Sequence, residues 1–265
     1  LWIKGVITTQ GVITEIFIPS LVSMIIPAFI ISLHLKGKFD KEQNLPKATT
    51  SQFTKIQRDI IFWLGVGGLV FVPIFKTITH LPPFMGILLV LGILWTTTEI
   101  FHYNTDEDDT MAKRVSDIMS KIDLSTIMFF LGILMAVAVL QEIGVLTAMG
   151  EGLNEAFSGN YYLINGIIGV LSSIVDNVPL VAGCMGMYPV AAEGAMAVDG
   201  IFWQLLAYCA GVGGSMLIIG SAAGVVVMGL EKITFGWYLK NITWIAFVGY
   251  LCGILVYWLE RMLFF

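Results

Sequence analysis

Long apolar runs separated by short polar segments are the dominant pattern along the chain. A bilayer core about 30 Å thick needs roughly 20 apolar residues per spanning helix. Six stretches reach that length: 16–35, 59–78, 83–102, 123–149, 202–228 and 241–260. A seventh, 161–190, is longer still and is interrupted near its middle by Val175-Asp176-Asn177-Val178-Pro179. A carboxylate, an amide and a helix-breaking proline thus fall at the depth where lipid tolerates them least.

Basic residues in short loops stay on the cytoplasmic side of a membrane. Lys36, Lys38, Lys41, Lys47, Lys55 and Arg58 follow the first stretch, and Lys113, Arg114 and Lys121 follow the third. Both loops therefore belong inside, with the Pro82-Pro83 turn outside. The loops at 150–160 and 191–201 carry Glu151, Glu155, Glu193 and Asp199 and no Lys or Arg, so both are assigned to the outer face. A segment flanked by two outer loops enters and leaves by one face. The pattern predicts that 161–190 is a re-entrant hairpin with its tip at Asp176–Pro179, after which 202–228 runs inward and 241–260 outward. The stretch 202–228 has its own interruption at Ala210-Gly-Val-Gly-Gly-Ser215. Each Gly costs about 0.8–1 kcal/mol relative to Ala in a helix, so local unwinding is expected there. Non-helical backbone at membrane depth is tolerated only inside protein or along a watery cavity, and the two breaks are expected to share one polar site.

Composition agrees with this reading. Of 265 residues, 57% are hydrophobic and 12% charged, against about 45–50% and about 25% in ordinary soluble domains; the mean hydropathy is +0.87. A soluble globule is excluded, and the expected fold class is an all-α polytopic membrane protein with about six transmembrane helices and one re-entrant hairpin. The net charge of -5 is dispersed in loops, with no basic stripe for nucleic acid. Cys184, Cys209 and Cys252 lack metal or redox spacing and read as packing residues. No phosphate-binding, dinucleotide, metalloprotease or nucleophile-elbow motif is present, so neither an enzyme nor a cofactor is expected. The chain opens at Leu1 without a Met or signal-peptide pattern, and a preceding segment is expected.

Asp176 is the sharpest candidate. A carboxylate at the bilayer centre costs about 2.5–3.5 kcal/mol on insertion scales, and its default role is an ion or proton site facing the protein interior. The competing role is an N-cap for the second half-helix, with Pro179 in its first turn. Asn177 offers an amide oxygen to a cation. Ser172 and Ser173, a turn earlier, either join the site or bond back to helix carbonyls. Gly211–Ser215 supplies freed carbonyl oxygens and a hydroxyl, hard donors matched to Na+ or Li+. Glu142, late in its stretch, and Ser172 are candidate relay residues. Gly220-x-x-x-Gly224 reads as a packing face with Ser221 as interhelical glue. Thr96-Thr97-Thr98-Glu99 reads as a solvated helix end, Asp123 with Ser125 and Thr126 as a helix start, and Asp106–Asp109 as a solvated surface. His34, His80 and His102 lie at stretch ends as interfacial residues. Tyr161, Tyr162, Trp203, Trp237 and Tyr238 read as interfacial belt anchors.

The run Ser172-Ser-Ile-Val-Asp-Asn-Val-Pro-Leu-Val-Ala-Gly-Cys-Met-Gly-Met-Tyr188, with Gly211-Val-Gly-Gly-Ser-Met-Leu-Ile-Ile-Gly-Ser-Ala-Ala-Gly224, resembles the second half of the NhaD-type Na+/H+ antiporters within the ion transporter superfamily. The resemblance covers essentially the whole chain and implies two inverted repeats, each with a re-entrant hairpin and a broken helix, often in a homodimer. It implies that residues 1–35 end the first repeat, that 36–58 is a cytoplasmic linker and that 59–265 is the second repeat. The first repeat itself is a missing partner. It places substrate motifs on Ser173, Asp176, Asn177 and Pro179 and on Gly213, Gly214 and Ser215. The expected activity is exchange of Na+ or Li+ for H+ across the cell's inner membrane, Asp176 taking cation or proton in turn. The alternatives are an anion permease of the same superfamily, for arsenite or a di- or tricarboxylate, and a non-transporting fragment.

Overall fold

The structure, a computed structural model, describes residues 1–34, 54–103, 124–221, 224, 227–228 and 231–264. The acidic run Asp106–Asp109, Asp123 and most of the 36–58 linker lie outside the described residues, as do the side chains of His34, His102, Ser125 and Thr126. Every regular element among the described residues is helical. The chain forms two compact units, residues 38–125 and residues 1–37 with 126–265.

In the unit 38–125, two long helices form an antiparallel pair. The first, Lys55–Thr79, opens on a capping box in which the Thr54 hydroxyl accepts from Gln57 N–H and Gln57 Oε1 accepts from Thr54 N–H at 2.8 Å. It closes on His80, whose left-handed conformation (φ 57) lets its N–H bond the Lys76 carbonyl. Pro83 then starts the second helix, Pro83–Tyr103, in the position where a missing N–H costs nothing. Trp63, Leu69, Ile78 and Leu88 point outward, as lipid-facing spans require. These helices match the expected spans at 59–78 and 83–102. The hydroxyls of Thr96, Thr97 and Thr98 bond back to the carbonyls of Gly92, Ile93 and Leu94, so they are absorbed by their own helix.

The larger unit begins with α1, which runs as Thr9–Gly11, a π-turn Val12–Ile16 and then Phe17–His34. It lies along the last helix, Thr243–Phe264, designated α10. Small residues make that approach: a Cβ on Gly249 would lie 2.4 Å from Pro27 Cγ. Close van der Waals packing of this kind, rather than the hydrophobic effect, is what joins helices in lipid. With the pair above as α2 and α3, the remaining helices are α4 (Leu124–Glu142), α5 (Val145–Ala156), α6 (Tyr161–Leu171), α7 (Asn177–Met187), α8 (Ile201–Gly213) and α9 (Phe235–Asn241). α6 packs along α8, α7 against α5, and α9 against α10.

α8 is the axis of the unit. Phe202, Trp203, Leu205, Leu206, Tyr208 and Cys209 are all buried, joined on one side by Ile164, Ile168, Cys184 and Tyr188 and on the other by Ile16, Met216, Tyr250 and Tyr257. A helix apolar around its full circumference belongs in the middle. Trp203 is therefore a core residue and not an interfacial anchor; its indole N–H donates to the Met196 carbonyl at 2.9 Å. Cys184 and Cys209 pack in these cores, as expected.

Two expected spans are reshaped. The stretch 123–149 is not one straight helix but α4 and α5, bent by 77° at Gly144, whose φ of +76 few other residues adopt without strain. In the stretch 202–228 the helix that opens at Ile201 ends at Gly213 and the chain unwinds over Gly214–Ser221 apart from one 3₁₀ turn; Gly224, Val227 and Met228 are helical again. Four described helices are long and apolar enough to cross a membrane, or five if the bent pair is counted as one span. The expected stretches at 16–35, 59–78, 83–102 and 241–260 correspond to the four.

Candidate functional site

The first break is the segment Ser172–Asp176 between α6 and α7. α6 ends in tightened turns, Ser173 N–H bonding the Val170 carbonyl and Ile174 N–H that of Leu171. Asp176 (φ -55, ψ 144) redirects the chain, and α7 starts at Asn177 with Pro179 buried in its first turn. The second break is Gly214–Ser221, where Leu217 and Ser221 are extended on either side of a single 3₁₀ turn, Ile218–Gly220. Helix persists through Gly211 and Gly213 and yields at Gly214, inside the expected interruption.

These two interruptions touch main chain to main chain. A Cβ on Gly213 would lie 2.0 Å from the Gly169 carbonyl oxygen. One on Gly220 would lie 2.5 Å from the Ser173 oxygen and 2.6 Å from that of Gly214. One on Gly214 would lie 2.8 Å from the Gly220 oxygen and 2.9 Å from Asn177 Oδ1. Only glycine permits such contact. Peptide oxygens of Ser173, Gly214 and Gly220 and the Asn177 amide therefore converge at one place.

Ser172, fully buried, holds the junction together. Its Oγ lies 2.5 Å from Asn177 Oδ1 and 2.8 Å from the Ala210 carbonyl oxygen, tying α6 to both α7 and α8. One hydroxyl proton serves one of these oxygens at a time, which leaves the other open to an incoming positive charge. Ser173, in contrast, bonds back to Val170 at 2.7 Å. Asp176 stands at the N-cap position of α7, yet its side chain makes no capping bond. Its Oδ2 is shielded from solvent and has no hydrogen-bond partner, a costly arrangement unless a ligand completes it. The Ser215 hydroxyl bonds the Val212 carbonyl, and the Ser215 carbonyl accepts from Tyr238 on α9 at 2.8 Å.

A cavity of about 720 Å³ leads to Asn177 between α4, α7 and α8; Lys4, Leu134, Gln141, Ala207 and Gly211 are among its walls. Glu142 lies exposed at the α4–α5 bend, beside the cavity-lining Gln141 rather than at the junction. Gly220 meets the tip of the first break instead of forming a helix-packing face with Gly224, and the Ser221 hydroxyl accepts from Gly224 N–H. Sequence reasoning missed a buried polar group: Glu15, Tyr257 and Arg261, with Arg261 Nη2 2.9 Å from Glu15 Oε2. Glu15 sits one residue before an apolar stretch and Arg261 one after another, positions that read as solvated ends.

An all-helical, multi-pass apolar scaffold with an oxygen-lined junction between two helix breaks defines an integral membrane protein built around a polar site. Residues 4–205 match the citrate transporter family, CitMHS, and the chain belongs to that family. It is similar to sodium/proton antiporter 1 of Arabidopsis thaliana, 45% identical over 97% of this chain and 43% of that protein. It is also similar to sodium/proton antiporter 2 of the same plant, at 41% over 97% and 60% respectively. The Na(+)/H(+) antiporter NhaD of Alkalimonas amylolytica is 30% identical over 99% of this chain and 56% of its own length. The chain thus spans about half the length of the curated relatives it matches. No solved structure matches it.

Proposed function

We propose that this chain forms the second repeat of a secondary transporter that exchanges Na+ or Li+ for H+, with Asp176 as the group both ions share. The observation that carries the reading is the buried, unpartnered Oδ2 of Asp176, next in sequence to Asn177, whose amide oxygen meets the peptide oxygens of the unwound segment. A proton and a metal cation compete for the same carboxylate oxygen, and a bound cation favours the ionised form. Each cation that binds therefore expels a proton, and reorientation of the loaded site yields exchange. Ser173, Pro179, Gly213, Gly214 and Ser215 shape the cradle, with Ser172 as its cross-link and Glu142 as a relay at the cavity's edge. The re-entrant course of 161–190, the repeat boundaries at 35 and 59, the inner-membrane location and the homodimer belong to this proposal. It is supported by placement of basic residues and by the antiporter names of the relatives. An acid oxygen without a hydrogen-bond partner among the described residues favours a cation over the anion that the family's description names.

Asp176→Asn in the full-length protein should abolish Na+-dependent proton movement in everted vesicles. Normal exchange in that variant overturns the role of Asp176, and citrate flux exceeding Na+, Li+ and K+ flux in reconstituted vesicles overturns the choice of ion.

A further inference from the structure

A second polar group lies apart from the junction, where α1 meets α8 and α10. Glu15, 8% exposed, projects from the π-turn of α1, a local widening that recurs at functional positions in helices. From α10, Arg261 Nη2 reaches Glu15 Oε2 at 2.9 Å and Tyr257 donates its hydroxyl to the same oxygen at 3.2 Å. Glu260 follows on the same helix, its Oε2 shielded and without a partner. From α6, the Tyr162 ring leans on Tyr257 at 6.4 Å. From the segment preceding α8, Asp199 accepts from Thr8 N–H and hydroxyl, both at 2.7 Å, and from Gln204 Nε2 at 2.8 Å. Gln204 is fully buried and its Oε1 has no donor; Gly11, one helical turn before Glu15, packs directly on it.

The inventory is unbalanced. Among the described residues, Glu15 has the like charges of Asp199 and Glu260 nearby and one guanidinium in contact, and the acceptor oxygens Oε2 of Glu260 and Oε1 of Gln204 have no hydrogen-bond partner. Such a group lacks protons, and poor solvation raises the cost of its excess negative charge. We propose that Glu15, with Arg261 as its built-in counter-ion, is a second proton-binding site of the transporter. The proton passes from hydronium in the outer solution to Glu15 Oε2: its bond to the hydronium oxygen breaks and leaves water, the bond to Oε2 forms as the contact with Arg261 loosens, Arg261 keeps its own charge, and the group gains one positive charge. On the orientation given by the basic loops, this end of α1 and α10 faces outward, so the site meets the outer solution while Asp176 lies at mid-depth. The inference rests on the proton-coupled reading of the chain.

The test uses full-length protein in proteoliposomes, following the carboxylic-acid C=O stretch by infrared difference spectroscopy between alkaline and acidic external buffer. E15Q removes the group but strands Arg261, so E15Q/R261M accompanies it as the charge-balanced variant. The expected result is loss of one protonated-carboxyl band in both variants and a flattened dependence of exchange on external pH in the double variant. In Asp176→Asn the same band should persist, which separates this site from the junction whether or not that variant still exchanges ions. A folded E15Q/R261M protein with an unchanged band and an unchanged external pH profile overturns the proposal, as does disappearance of the band in Asp176→Asn.

Discussion

Gly211 and Gly213 lie two residues apart on α8, and adding one methyl group should have opposite consequences at the two. At Gly213 the new Cβ would sit 2.0 Å from the Gly169 oxygen, 2.7 Å from its carbonyl carbon and 3.0 Å from its Cα. All three are backbone atoms, so no side chain can turn away. Restoring ordinary contact near 3.4 Å requires α6 and α8 to part by about 1.4 Å. Overpacking of this kind costs about 1–3 kcal/mol, which exceeds the gain of about 0.8–1 kcal/mol from replacing Gly by Ala in a helix. The separation also stretches the 2.8 Å bond from Ser172 to Ala210 beyond useful length. Gly213→Ala should therefore lower the unfolding temperature in detergent by several degrees and greatly reduce cation-dependent proton movement. Gly211→Ala meets nothing within 4 Å and should leave stability unchanged or slightly raised. If the two variants unfold together, the breaks do not make the backbone contact described here.

The paired serines offer a similar contrast. Ser172→Ala removes a hydroxyl that links three helices and should destabilise by about 1–3 kcal/mol with a loss of apparent cation affinity, whereas Ser173→Ala deletes only a bond to Val170 and should cost about 1 kcal/mol or less. Trp203→Ala should cost about 3–5 kcal/mol, because the indole is completely enclosed; an interfacial tryptophan would unfold much as wild type does in the same thermal assay.

Much of this architecture is legible from residue pattern, for a physical reason: lipid demands unbroken apolar helices, and any departure from that demand stands out. The stretches at 16–35, 59–78, 83–102 and 241–260 and the breaks at Asp176 and after Gly213 follow directly. The bend at Gly144 does not, because a single glycine inside a helical pattern is usually tolerated and the apolar run resumes at Val145. Trp203 is misread because an aromatic near a stretch end has two homes, and only packing against Phe202 and Met196 selects the interior one. Glu15 and Arg261 are hidden by the same edge effect. Each looks hydrated until α1 and α10 are laid side by side, a long-range pairing that no local window contains. At the junction itself, the breaks were readable but the contact of Gly220 with Ser173 was not, since it depends on how an unwound strand folds back.

The hydroxyl of Tyr238 holding the Ser215 carbonyl has a mechanical corollary. α9 is short, half-exposed and packed on both α10 and the 3₁₀ turn Ile218–Gly220, so it buttresses the second break from outside like an outrigger.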